Sequence, residues 1–210
     1  MRRERRAWLD SLSVARSVLE LPSARERWDA PSALSGWTIG GLSAHIIRGA
    51  SLLTGYLDAD VPDAAEVITP AEYWRRIPAD ATQPIHVGIR ERGQQQAERG
   101  IDALLAELDD AQRQLAAAFQ TVPDGRLIAA FAGLVLTLDD FLICRCVELT
   151  VHTDDLCVSL AIDTATMPVD ALELSIDCLV GAARLRHGDV AVLRALTRRE
   201  RDGVAALRVL

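Results

Sequence analysis

The sequence predicts a mainly α protein: four long helices that suit an up-and-down or crossover bundle, additional C-terminal helices, and a short β-hairpin or edge strand. Three observations predict it. Apolar residues recur at three- and four-residue intervals through long stretches rich in Ala, Leu, Glu, Arg and Gln. Prolines fall between these stretches or at their starts. Half of the 210 residues are hydrophobic, enough to give such helices a sizeable common core.

The first predicted helix runs from Arg2 to Leu21, with Trp8, Leu12, Ala15 and Leu19 in helical rhythm, and Pro22 stops it. Residues 22–37 hold Pro22, Pro31, Ser32, Ser35 and Gly36 and read as a loop, pinned to the core by Trp28 and Trp37. Thr38 is placed to cap a second helix through Leu42, His45, Ile46, Gly49, Leu52, Leu53 and Tyr56. Glycines 40, 41 and 49 weaken its propensity while permitting close helix approach. Four prolines between residues 58 and 86 predict a long loop with one helical turn at 71–77, of a length often tied to function. A long third helix is predicted from Val87 to Thr121, with Ile101, Leu104, Leu105, Leu108, Leu115 and Phe119 on one stripe. The pattern then changes, and Leu127 to Leu136 suggests a short strand or hairpin that includes Phe131. Asp139 or Asp140 caps a fourth helix from Phe141 to about Leu160, and Pro168 opens a fifth over 169–186. His187-Gly188 ends the fifth, Asp189 starts a short sixth through Arg199, and residues 205–210 read as an edge strand or tail. The expected organisation is a helical bundle over 1–165 with a helical extension, 166–210, packed on it.

Composition narrows the function. A net charge of −7 and a pI near 5.1 argue against a nucleic-acid surface. The short basic runs at Arg2–Arg6 and Arg198–Arg201 include Glu4 and Glu200 and read as solvated helix faces. No window approaches the ~20 uncharged apolar residues of a membrane span, and the N-terminus lacks the apolar segment of a signal peptide. Cys144, Cys146, Cys157 and Cys178 contain no C-x-x-C pair and fall within apolar helical patterns, as buried reduced thiols do. A cytoplasmic protein without membrane or nucleic-acid partners is expected.

The chemistry concentrates in the fourth predicted helix. Arg145, Glu148, His152 and Asp155 recur every three or four residues in a segment that is otherwise apolar nearly all round, so this polar stripe is expected to line a cavity. Glu148 and His152 share a helix face, which by itself makes an ordinary i,i+4 pair. His45 by itself reads as a satisfied core histidine. Together in a bundle, a carboxylate and two imidazoles form a three-ligand set for a divalent metal with an open position. His86 in the long loop and His187 at a helix end do not join the trio by spacing, and Cys144, four residues before Glu148, reads as a small buried hydrophobe rather than as an edge of the cavity.

Trp28-Asp-Ala-Pro-Ser-Ala-Leu-Ser-Gly-Trp37-Thr-Ile-Gly-Gly-Leu-Ser-Ala-His45 resembles the "W-x-x-P-T…GW-x-x-x-x-L-x-x-H" segment of the mycothiol-dependent maleylpyruvate isomerase N-terminal family, a branch of the DinB-like bundles. Arg145-Cys-Val-Glu148-Leu-Thr-Val-His152-Thr-Asp-Asp155-Leu is similar to that family's "R-x-x-E-x-x-x-H-x-x-D-L" signature. The resemblance implies a DinB-like four-helix bundle with His45, Glu148 and His152 as ligands of a divalent metal, commonly zinc, completed by water. Arg145 and Asp155 match signature positions and would orient the ligands or hold the site through an ion pair. It also implies a low-molecular-weight thiol, mycothiol or a similar compound, as co-substrate attacking a small organic electrophile by isomerisation or S-conjugation. Two-domain members follow the bundle with an α/β domain, whereas the residues after the fourth helix here are expected to be helical with one strand at most, so isomerisation of maleylpyruvate does not transfer safely and a thiol transferase or another isomerase stays open. Two other readings stand beside the enzyme: a non-catalytic metal- or ligand-binding bundle, and a helical homodimer whose metal is structural.

Overall fold

A computed structural model of the chain describes residues 1–130, 133–198 and 203–209, with only the backbone at Val204. Its elements in chain order are α1 (Arg3–Leu19), α2 (Pro22–Glu26), α3 (Ile39–Asp58), α4 (Pro70–Arg76), α5 (Pro84–Ala97) and α6 (Ile101–Thr121), then β1 (Leu127–Ala129), β2 (Val135–Thr137), α7 (Leu138–Leu160), α8 (Val169–His187), α9 (Asp189–Thr197) and α10 (Gly203–Leu207). The fold is mainly α, as its helical periodicity predicts, and it is consistent with a DinB-like bundle.

Helices α1, α3, α6 and α7 close a four-helix ring, each packing on two of the others: α1 on α7 and α6, α3 on α6 and α7. Their facing apolar stripes supply the core, including Trp8, Leu12, Leu42, Leu53, Leu104, Leu108, Leu115, Phe119, Phe141 and Leu142, all buried. Trp8 meets Phe119 edge to face at 5.9 Å. Helix α5 lies along α3, α4 bridges α7 and α8, and α8 covers α7 and α1. A two-stranded antiparallel hairpin pairs Leu127 with Thr137 and Ala129 with Val135, the hairpin predicted between Pro123 and Thr137. Phe131, part of that prediction, lies outside the described residues.

Local signals explain most boundaries. The Thr38 hydroxyl accepts from the Gly41 amide at 2.9 Å and caps α3, as predicted. Thr69 caps α4 in the same way over Glu72, which places a full short helix where one turn was expected. Pro168 precedes α8, and Gly188 at φ 86° separates α8 from α9.

Several expectations are corrected. Residues 22–37 are not all loop, because Pro22 at the first helical position starts α2 rather than only stopping α1. The long third helix is two helices: Gly100 adopts φ 80°, a left-handed conformation that ends α5 and redirects the chain into α6. The α5 segment also starts earlier than Val87, at Pro84. The cap of α7 is Thr137, whose hydroxyl accepts from the Asp140 amide at 3.0 Å, rather than Asp139 or Asp140. Residues 203–207 form α10 where an edge strand or tail was expected over 205–210, and α9 ends at Thr197, with residues 199 and 210 outside the described set.

Asp139 is diverted from capping by a distant partner. Its carboxylate accepts from Arg5 at 2.7 Å and 3.3 Å, and both residues are buried. The same guanidinium donates to the carbonyls of Phe119, Val122 and Pro123, tying α1 to the end of α6 and the start of α7.

Candidate metal centre

Two helices deliver the site. His45 sits in the second turn of α3, and Glu148 and His152 sit one turn apart in the middle of α7, which packs against α3. Their ligand atoms all lie within 4.8 Å of one another. His45 Nε2 stands 3.2 Å from Glu148 Oε2, His152 Nε2 stands 3.6 Å from the same oxygen, and the imidazoles meet edge to face at 4.9 Å. Bonds of ~2.0–2.2 Å from nitrogen and oxygen to zinc put tetrahedral ligands about 3.3–3.6 Å apart. The donor set and its spacing therefore fit a divalent cation.

The flanking residues of the stripe attend to these three. Asp155 Oδ2 lies 3.0 Å from His152 Nδ1, which fixes that ring and leaves Nε2 to face Glu148. Arg145 Nη2 is 3.6 Å from Glu148 Oε2, and its guanidinium carbon lies 5.9 Å from the centre of the Phe141 ring. Gly49 on α3 makes room for it, since a Cβ there would sit 2.5 Å from Arg145 Nη2. Trp37 holds the other side of His45, with ring centres 5.4 Å apart.

The electrostatics hold His45 and Glu148 in their ligating forms. Burial lowers the pKa of His45, aided by His152 and Arg145 and opposed by Glu148, so the imidazole is neutral at pH 7. Burial would raise the Glu148 carboxyl, but Arg145, the His45 hydrogen bond and His152 outweigh it and hold the group well below the usual carboxylate range. A neutral imidazole and an ionised carboxylate are what a hard or borderline divalent cation needs.

All four stripe residues and His45 line a cavity of about 740 Å³. Its walls are aromatic at Trp37, Tyr56, Tyr73, Trp74 and Phe141, and segment 77–81 from the long connection closes one side. Desolvation pushes the Tyr73 phenol upward, so it stays protonated. His86, set apart from the trio by spacing, lines this cavity but is tied to the Pro78 carbonyl at 2.6 Å. His187 contacts the Arg208 carbonyl instead. The four cysteines are buried and free, and none lines the cavity; Cys144 lies under α4, its sulfur 3.9 Å from the Pro70 carbonyl. Burial raises the thiol pKa values of Cys144 and Cys146, the latter to about 12.

The aromatic walls and three arginines, Arg48, Arg90 and Arg92, were not singled out from the sequence. Arg48 follows His45 by three residues and so shares its face, a signal that was present. Arg90 carried none, because its helix was placed as the start of a longer one. Among the described residues no helix is long and apolar enough to cross a membrane.

Residues 11–157 match the family described as Mycothiol maleylpyruvate isomerase N-terminal domain. No curated protein and no solved structure shows a significant match to the chain.

Proposed function

The chain belongs to the mycothiol maleylpyruvate isomerase N-terminal domain family, and on that premise we propose a divalent-metal-dependent enzyme that uses a low-molecular-weight thiol to isomerise or S-conjugate a small electrophile. The observation that carries this reading is the convergence of His45, Glu148 and His152, within 4.8 Å, on the floor of a cavity large enough for two small reactants. Zinc is the best fit to two imidazoles and one carboxylate with a position left open. When bound, the cation supplies Lewis-acid stabilisation of a thiolate near neutral pH.

The protein's own residues do the rest. His45, Glu148 and His152 hold the ion, Asp155 fixes the His152 ring, and Arg145 offsets the charge of a carboxylate that burial alone would neutralise. Trp37, Tyr73 and Phe141 exclude water from the reactants. The nucleophile comes from solution: the cavity contains no cysteine, and burial raises the thiol pKa values of Cys144 and Cys146. Mycothiol or a similar thiol fills that role in this reading. Four free cysteines suit a reducing cytoplasm.

The test has two arms. Elemental analysis of protein purified without chelator should give about one zinc per chain. Turnover of a panel of small electrophiles should require added thiol and disappear on chelation. Stoichiometric metal with no thiol-dependent turnover across the panel would favour a binding protein instead.

A further inference from the structure

Among the described residues, ten of the thirteen large apolar side chains left exposed lie after residue 157, beyond the span of the family match. Single exposed apolar residues are ordinary, but such a concentration at one end of the chain marks a surface with a use.

Helix α9 shows the imbalance most plainly. Six of its nine residues are apolar, and they fall on two faces. Ala191, Val192 and Ala195 make the inner one: Val192 is buried, and the Ala195 methyl lies 3.5 Å from where a Cβ on Gly203 of α10 would stand. Within the chain α9 packs on α8 and α10, which cover that face. Val190, Leu193 and Leu196 make the outer face and are 58%, 61% and 62% exposed. A helix apolar on both faces belongs between two partners, and the fold supplies only the inner set among the described residues.

Helix α8 offers the complement. Val169, Leu172, Ile176, Val180 and Ala183 follow one another at three- and four-residue steps and so form one stripe. Because α9 starts directly after Gly188, its nine residues reach back about 14 Å at 1.5 Å each, along the second half of α8 only. Accordingly Ala183 is buried and Val180 half-buried, whereas Val169, Leu172 and Ile176 are exposed. Charge follows the same division. From Val169 to Ala183, α8 carries the acids Asp170, Glu173 and Asp177 and no base, while after Asp189 α9 carries Arg194, then Arg198 at its end, and no acid. The outer face of α9 thus matches the bare half of α8 in apolarity and opposes it in charge.

The two faces cannot meet within one chain, since α9 lies on its own α8 by the inner face. Across a two-fold axis they meet twice. The six bare residues present roughly 600 Å² per chain, so a pair of copies covers about 1,200 Å², the lower end of stable protein interfaces. We propose that two copies of this chain associate symmetrically, the outer face of α9 in each lying on the bare half of α8 in the other.

Sedimentation equilibrium of the full chain at micromolar concentration tests this. Wild type should sediment at twice the 22.9 kDa chain mass and return to the chain mass on dilution. L193D/L196D alters only exposed positions of α9 and should raise the dimer dissociation constant at least a hundredfold with helical circular dichroism kept. I176D should do the same from the α8 side, and it serves alone if the α9 variant loses helix. Charge reversal tests the pairing of unlike helices. R194E and E173R/D177R should each weaken self-association, while their mixture should form heterodimer at least fivefold in preference to either homodimer, because both contacts then join opposite charges. Wild type that stays at the chain mass would overturn the proposal. So would a dimer that L193D/L196D and I176D leave intact, or a mixture of the charge variants with no preference for the heterodimer.

Discussion

Asp155 gives a graded test of how the site is held. Its Oδ2 stands 3.0 Å from His152 Nδ1, on the ring edge opposite the nitrogen that faces Glu148. Replacing it with Asn keeps an acceptor in place, so the tautomer survives, but removes the negative charge that makes the imidazole a better donor. Replacing it with Ala removes both. Changes to such supporting partners cost metal affinity by roughly 10–100-fold. The Asn variant belongs near tenfold, about 1.4 kcal/mol, and the Ala variant nearer a hundredfold, about 2.7 kcal/mol. Water limits the larger figure, because both side chains are about one-fifth exposed, at 21% and 22%. The same openness means that, without metal, either variant should unfold within about 1 kcal/mol of wild type. A chromophoric chelator competing for zinc measures the affinities, and urea titration in excess chelator measures the stabilities. Equal zinc affinities for wild type, D155N and D155A would refute the orienting role. A large stability loss in the metal-free protein would show that Asp155 works as a fold contact instead.

Other outcomes follow from the same structure. Asp139→Asn should destabilise the fold by about 3 kcal/mol, the low end for breaking a buried pair because Arg5 keeps three backbone carbonyl partners. Urea unfolding followed by tryptophan fluorescence checks it, and R5M/D139L should recover part of the loss. The Cys146 thiol, raised from 9.0 to about 12, favours the folded state fully below pH 9, and that contribution is lost as pH rises toward 12. Stability should therefore fall by up to about 1.4 kcal/mol per pH unit in that window from this group. Cys146→Ala should show a shallower decline between pH 8 and 10.5, and identical slopes would contradict the assignment. All four cysteines are buried, so none should react with a thiol reagent in native protein at a rate above that of unfolding.

The parts of the fold written locally were legible in the chain. Thr38 announced the start of α3, Pro168 that of α8, and the stripe Arg145, Glu148, His152, Asp155 carried its own spacing into the cavity wall. Convergence of His45 on that stripe was expected from the bundle and the family signature, and the coordinates bring the three together. What stayed hidden depended on long-range partners or on backbone choice. Asp139 looks like a cap until Arg5, 134 residues earlier, claims it. Gly100 sits between two strongly helical segments, and only its positive φ shows that the helix turns there. Arg90 reaches the cavity because that turn folds α5 back along α3. Residues 203–207 are helical beside α9, a contact that their own short apolar run does not reveal.

The central claim is that α3 and α7 bring His45, Glu148 and His152 around one cation. Metal analysis of wild type, H45A and H152A, all purified without chelator and shown by circular dichroism to be folded, tests it most directly. About one equivalent of zinc in wild type and a loss of most of it in both variants is the predicted result. Wild-type protein that stays metal-free after incubation with zinc, or variants that keep a full equivalent, would contradict it.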